Sequence, residues 1–176
     1  MELPRIPIDD FQARCHHLWD SQWLLLTAGD LASGRFNMMT VAWGSIGTMW
    51  NRPFAQVVVR PTRHTYGFTE EFDSFTLCAF PEKLRPVLKL LGTRSGRDID
   101  KVEASGLEPL PSLEVAAPGF AEAELVVECR KIYWDDFEPA QVLDPAIDKQ
   151  YPEHDYHRIY FGEIVAVRGT DSYEND

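Results

Sequence analysis

Apolar and polar positions along the chain follow two rhythms. From Ile8 to Trp19 the residues Ile8, Phe11, Cys15, Leu18 and Trp19 recur at three- and four-residue spacing behind a capping Asp9 or Asp10, which predicts an amphipathic helix. Short apolar runs follow. Trp23 to Ala28 ends at Gly29-Asp30, Met39 to Trp43 ends at Gly44, and Phe54 to Val59 lies between Pro53 and Pro61, so three successive strands are predicted, the first two as a hairpin. Ser74 to Phe80 alternates Phe75, Leu77 and Ala79 against Thr76, Cys78 and Phe80 until Pro81 stops it. Glu122 to Tyr133 sets Ala123, Leu125, Val127 and Cys129 on one side, and Tyr160 to Val167 alternates with Phe161, Ile164 and Val167 partly out of register; both read as strands.

Helices are fewer. Phe68 and Phe72 predict a short one over Thr65 to Phe72, and Leu84 to Leu91 predicts another, with Pro86 in its first turn and Gly92 as its C-cap. Thr93 to Asp100 reads as a polar loop, Leu107 to Gly119 as a proline-rich irregular connection, and the acidic, aromatic stretch Trp134 to His157 as holding a helix near Pro139 to Leu143. Many short strands with few helices, spread over a single domain 1–176, predict a mainly β fold: a closed or partly closed antiparallel barrel. A parallel dinucleotide fold would carry a glycine fingerprint, and neither GxGxxG nor GxxxxGK[ST] occurs.

Charge narrows the partners. The 28 acids outnumber the 17 bases, and a formal charge of −11 repels both a nucleic-acid backbone and an anionic membrane surface. A local cationic stretch stands out against that field. The odd cysteines, Cys15, Cys78 and Cys129, have no CxxC or His-Cys spacing, so neither a disulfide framework nor a zinc site is expected. The first ten residues lack the basic start and apolar run of a signal peptide, and the longest apolar stretch, Trp23 to Leu26, is too short to span a bilayer. A reducing, cytoplasmic setting is expected.

Four stretches could carry chemistry. Asn37 to Gly44 offers small polar side chains and a Trp along one strand, suited to the edge and face of a planar heteroaromatic ring, or equally to a core strand ending in a turn. Arg60-Pro61-Thr62-Arg63-His64-Thr65 runs from a strand end into a helix start, where unpaired amides and two Arg forks suit a phosphate monoester; a solvated basic turn is the alternative. Gly92 to Lys101 is a glycine-punctuated polar loop able to close over a ligand through Ser95 and Gly96, or simply a surface loop. His157, before the last strand, suits an acid, a base or a ring partner, or a structural role. His16 and His17 are adjacent on the predicted helix and point apart, which disfavours a metal pair. No GxSxG or HExxH occurs.

These stretches, in order, resemble the flavin reductase-like family of FMN-binding split barrels, which includes flavoredoxin-type proteins. The matching residues are Asn37-Met38-Met39-Thr40 with Trp43-Gly44, Gly47 with Trp50, Val59-Arg60-Pro61-Thr62-Arg63 with Thr65, Phe75-Thr76-Leu77, Gly92 with Ser95-Gly96-Arg97-Asp98 and Asp100-Lys101, Glu128-Cys129-Arg130, and Asp155-Tyr156-His157-Arg158 with Gly162-Glu163-Ile164. The resemblance implies a six-stranded Greek-key antiparallel barrel, a homodimer, and FMN at or near the dimer interface. By position, Asn37, Met39, Thr40, Ala42 and Trp43 would line the ring and ribityl chain, Arg60, Arg63 and Thr65 would hold the phosphate, and Ser95 and Gly96 would close the site. His64 stands where the family pattern leads one to expect an aromatic such as Tyr. The implied activity is electron transfer from NAD(P)H through FMN to a flavin, a small redox protein or a metal ion, with no protein acid or base at the chemical step; the alternative is a non-catalytic FMN carrier reduced by a partner protein. Cys78 and Cys129 are then expected to pack within the barrel.

Overall fold

The strands of this protein, seen in a computed structural model that describes residues 3–175, pair in an eight-stranded antiparallel sheet and a separate two-stranded one. In chain order they and the helices are β1 (Arg5–Ile6), β2 (Leu24–Asp30), β3 (Arg35–Val41), β4 (Gly44–Met49), β5 (Arg52–Val59), α1 (His64–Glu71), β6 (Ser74–Ala79), α2 (Arg85–Thr93), α3 (Lys101–Ser105), β7 (Pro109–Leu110), β8 (Gly119–Phe120), β9 (Leu125–Asp136), α4 (Pro145–Asp148) and β10 (Arg158–Gly169). The order across the sheet is β3-β2-β6-β9-β10-β5-β4, with β1 pairing β10. Its two edges, β3 and β4, are separated in the chain only by Ala42 and Trp43, so they are two halves of one bent strand. Counted that way, six long strands curl into a barrel that stays split between β3 and β4. No helix among the described residues is long and apolar enough to cross a membrane.

The core explains the strand rhythms. Leu24, Leu26, Met39, Val57, Phe75, Leu77, Leu125, Val127, Cys129 and Tyr160 face the barrel interior. Leu25, Met38, Cys78 and Val126 point the other way, into a second cluster with Phe80, Leu88, Leu91, Leu107 and Phe120 beneath α2 and α3. Strands covered on both faces read as unbroken apolar runs, which is why Leu24-Leu25-Leu26 does not alternate. Cys78 and Cys129 are fully buried as expected, and burial pushes the Cys78 thiol up to about 12 and raises that of Cys129.

Four expectations need correction. The helix over Ile8 to Trp19 is instead a single 3-10 turn at Ile8–Asp10, an extended piece, and a wide π-helical turn over His17–Gln22. The extended piece is held by long-range backbone bonds: the Gln12 amide donates to Tyr173 O at 3.0 Å and the Asn175 amide to Asp10 O at 2.8 Å. Those bonds satisfy the backbone without a helix, while Ile8, Phe11, Leu18 and Trp19 still reach the core. Gly92 lies inside α2, where its bare face rests on Thr40; the helix ends one residue on, at Thr93, with the Arg94 amide on Leu90 O. The helix expected near Pro139 to Leu143 is a 3-10 turn at Pro139–Gln141 followed by the four-residue α4. β4 was not foreseen because Gly44-Ser45-Ile46-Gly47-Thr48-Met49 lacks an apolar face; it is registered on β5 by a two-residue turn in which Trp50 and Asn51 both have positive φ (53° and 57°).

The bend between β3 and β4 depends on Gly44. A Cβ there would run into the Gln56 carbonyl oxygen and the Trp19 ring. Gly44→Ala is therefore expected to cost about 2–3 kcal/mol through overpacking, read as a lower urea midpoint at unchanged m.

Candidate functional site

Beside the bend the surface opens into two adjoining clefts. The first, about 200 Å3, is walled by Met39, Thr40, Val41, Ala42 and Trp43 from β3 and the bend, by Val58 and Arg60 from the end of β5, and by Arg63 and His157. The second, about 110 Å3, is formed by Thr62 to Thr65, the end of α2 and the following loop through Gly96 and Arg97, and Lys101. Met39 and Arg63 belong to both, so the clefts form one trough.

Nine of the ten residues expected at the site line this trough: Met39, Thr40, Ala42, Trp43, Arg60 and Arg63 the first cleft, Met39, Arg63, Thr65, Ser95 and Gly96 the second. Asn37 lies just beneath. It is buried on β3 and its Nδ2 donates to Thr65 Oγ1 at 2.7 Å, tying the first turn of α1 to the barrel. Thr65 therefore does not cap α1, whose N-cap is Arg63. Gly96 sits against Asn37 so closely that an added Cβ would overlap Asn37 Oδ1 and come 3.0 Å from His64 Cδ2. Ser95 shapes the loop by accepting the Arg97 amide at 3.1 Å, and Thr40 Oγ1 donates to Leu88 O at 2.5 Å, clamping α2 onto β3.

The two clefts differ in charge. Arg63, His64, Arg94, Arg97 and Lys101 line the second, and no carboxylate does. On a chain with a net charge of −11 such a cluster marks a site for an anion. Lys101 is buried; its Nζ donates to Met38 O at 2.7 Å and Leu91 O at 2.8 Å, leaving one N–H to spare. Burial, then the nearby Arg63, lowers its pKa to about 8. His64 is likewise lowered, first by burial and then by Arg97 and Lys101.

In the first cleft Arg60 is engaged. Its guanidinium pairs with Asp155 at 2.7 Å, donates to Gln150 O at 2.7 Å and lies over the Tyr151 ring at 4.8 Å, so it clips the segment before β10 to the end of β5. Arg60 and Arg63, grouped by sequence, thus part ways: only Arg63 reaches the second cleft. His157 packs 5.3 Å from the exposed Trp43 ring, with its Nδ1 2.8 Å from the Tyr151 hydroxyl. Burial, reinforced by Arg60, holds its pKa down at about 4.

A depressed histidine makes stability fall on acidification. Above about 6.5 the ring is neutral folded or unfolded; between about 6.5 and 4 only the unfolded chain takes the proton; below about 4 the loss is complete, up to about 3 kcal/mol. His157→Phe is expected to flatten that part of a plot of melting temperature against pH.

Arg94, Arg97 and Lys101 were within a stretch singled out from the sequence but not assigned to the site, and Val58 was not foreseen there. A lysine among apolar neighbours right after the Asp100 cap was the available signal. Among the described residues no group of three or more His, Cys, Asp or Glu is placed to hold a metal ion.

Among curated proteins there is no match. Among solved structures the chain is similar to flavoredoxin of Desulfovibrio vulgaris (Miyazaki F), with 24% identity and a TM-score of 0.66 over 91% of this chain and 73% of that one. It is similar to an FMN-binding domain of a flavin reductases-like enzyme from Shewanella baltica OS155 (18%, 0.68, 95% and 78%) and to an FMN-binding protein from Thermus thermophilus, solved with bound 1-cyclohex-2-enone (19%, 0.68, 92% and 80%). These likenesses establish the split-barrel fold. Residues 20–175 match the flavin reductase like domain, and with nearly the whole chain inside that match the protein belongs to the flavin reductase-like family.

Proposed function

We propose that the trough binds FMN and that this chain, as one domain, passes electrons from NAD(P)H through that flavin to a flavin, small redox protein or metal-ion acceptor. The observation that carries the reading is the trough's division into an aromatic end and an acid-free cationic end, the two chemical halves of a flavin mononucleotide, joined through Met39 and Arg63. The donor set suits the group: Arg63, Thr65, Lys101 and the loop amides at Ser95 and Gly96 would hold the phosphate. Met39, Thr40, Ala42 and Trp43 would line the ring and ribityl chain, with Asn37 bracing them from below. Gly96 has to be bare to lie directly against Asn37, which sets the loop at its place over the cleft.

When bound, the flavin supplies the redox chemistry, taking hydride at its ring and releasing electrons to an acceptor. The protein's own residues supply geometry. Trp43 stands exposed at the edge of the cleft, an aromatic wall against which a planar partner can stack. His157, neutral at physiological pH and bonded at Nδ1 to Tyr151, presents the complementary role at Nε2: a donor where the Tyr151 hydroxyl donates, an acceptor where it accepts. Arg60, neutralised by Asp155, keeps the wall of the first cleft in place while adding little net charge to it.

Lys101 makes phosphate binding pH-dependent. It is charged below about pH 8 in the free protein, and a bound phosphate would hold the proton more tightly. FMN affinity is therefore expected to be level between about pH 7, above the second ionisation of the phosphate, and about pH 8, and to fall above that by up to about tenfold per pH unit, while riboflavin affinity stays level in fluorescence titrations over that range.

The functional test is an anaerobic mix of the FMN-loaded protein with NADH or NADPH. Rapid bleaching of the flavin absorbance supports the reductase reading. A flavin that binds but is not bleached over minutes by either donor favours the carrier alternative, which the flavoredoxin names among the structural neighbours support. A homodimer, implied by the family, is supported by the exposed aromatics Trp50 and Tyr133 at the β4–β5 turn, and light scattering tests it. The three free cysteines fit a reducing, cytoplasmic setting.

A further inference from the structure

A further cavity adjoins the trough. At about 500 Å3 it is larger than either cleft, and it shares Ala42 and Trp43 with the first of them. Trp19, Ala42, Trp43 and Ile46 give it an apolar wall around the bare Gly44. The exposed Cys15, His16 and Asp20 of the opening segment also line it, as does Ser45, whose hydroxyl already donates to Gln56 Oε1 at 3.0 Å.

This cavity has the opposite chemistry to the phosphate end. Neither Arg nor Lys lines it, and Asp20 adds negative charge on a chain already at −11. An anion is repelled there, which disfavours a flavin nucleotide, a nicotinamide dinucleotide or an anionic metal chelate. A hydrated cation gains nothing from an apolar wall that cannot replace its water. The volume is that of a small-molecule pocket, so it admits a compact ring and not a protein. What remains is a flat, uncharged organic molecule.

Position gives that molecule a role. Trp43, half-exposed, is a wall common to this cavity and to the cleft assigned to the flavin ring, with His157 5.3 Å from it on the cleft side. An occupant stacked on Trp43 therefore lies one side chain away from the ring end of the trough.

We propose that this cavity is the acceptor subsite and that the acceptor it takes is an uncharged quinone. The proposal rests on the FMN reading above. In the net step two electrons and one proton leave the reduced flavin anion, a second proton comes from water, and the two quinone carbonyls become the hydroxyls of a hydroquinone as the flavin returns to its oxidised form. His16 offers a ring N–H to one of those carbonyl oxygens.

Two measurements test this. Cys15 reports occupancy without any flavin, because it is exposed while Cys78 and Cys129 are buried. The probe is duroquinone, whose ring carbons are all substituted and therefore do not add thiols. It is expected to slow alkylation of Cys15 by iodoacetamide in a saturable way. In the second measurement FMN-loaded protein, reduced with one equivalent of dithionite so that no nicotinamide is involved, is mixed anaerobically with duroquinone or with ferricyanide. Cys15→Trp, which fills the cavity, is expected to slow reoxidation by duroquinone about tenfold or more while FMN affinity and reoxidation by ferricyanide stay at the parent's values. Cys15→Ser is expected to match the parent with both acceptors. The proposal is overturned if duroquinone gives Cys15 no protection, if Cys15 is unreactive in the parent because the cavity is covered, or if Cys15→Trp keeps the parent's rate. Equal slowing with both acceptors overturns it too, since the effect then lies at the flavin and not in the cavity. If the parent takes up no FMN, the underlying reading falls and the acceptor role with it, whatever Cys15 reports.

Discussion

Glu128→Ala is expected to destabilise the fold by about 3–5 kcal/mol, the usual cost of leaving one member of a buried ion pair without its partner. Glu128 is fully buried on β9, and its carboxylate accepts the Leu113 amide at 2.9 Å, the Glu114 amide at 2.8 Å and Arg168 Nη2 at 3.3 Å. Arg168, on β10, also donates to Pro111 O at 3.3 Å. One carboxylate therefore holds the proline-rich connection between Leu107 and Gly119 onto the barrel. Removing it strands two amides and a guanidinium in a dry site. Glu128→Met/Arg168→Met is expected to cost less than either single change, because it removes both charges together. Denaturant melts of the three variants check this, and a double variant as damaged as the sum of the singles would refute the account. FMN affinity is expected to survive, since none of these groups lines the trough.

The second large effect concerns the phosphate. Arg63→Ala with Lys101→Met is expected to weaken FMN about 100-fold or more, since each lost charge-assisted contact is worth about 1.5–3 kcal/mol, while riboflavin changes little. Arg63→Ala alone is the cleaner variant. Lys101→Met also orphans the Met38 and Leu91 carbonyls, so its melting temperature must be followed alongside. Arg60→Ala is expected to behave differently. It frees Asp155 and loosens the segment through Tyr151 and His157, so FMN and riboflavin should weaken alike. A strong preference for riboflavin in Arg60→Ala would return the phosphate to Arg60.

Much of this architecture was legible in the chain. Ser74 to Phe80 and Glu122 to Tyr133 announced β6 and β9 by alternation, and Pro86 marked the first turn of α2, because strand period and helix starts depend on neighbouring residues alone. The opening helix failed for the opposite reason. Ile8, Phe11, Leu18 and Trp19 have helical spacing, yet the backbone between them bonds to residues 173 to 175 at the far end of the chain, and no local pattern reports such a partner. β4 was invisible because its residues earn their place by pairing with β5, not by burial.

At the site the same division holds. Unaided, the sequence determined an acidic chain of short antiparallel strands with two basic, glycine- or proline-marked stretches, each ambiguous taken singly. Only the tertiary structure decided that they face each other. With α2 laid across β3, the turn at Arg63 and the loop ending at Lys101 close on one cleft, while Arg60, three residues earlier, turns to Asp155. Electrostatics acts through space, so a phosphate site made of cations nearly forty positions apart can be read only once the chain has folded.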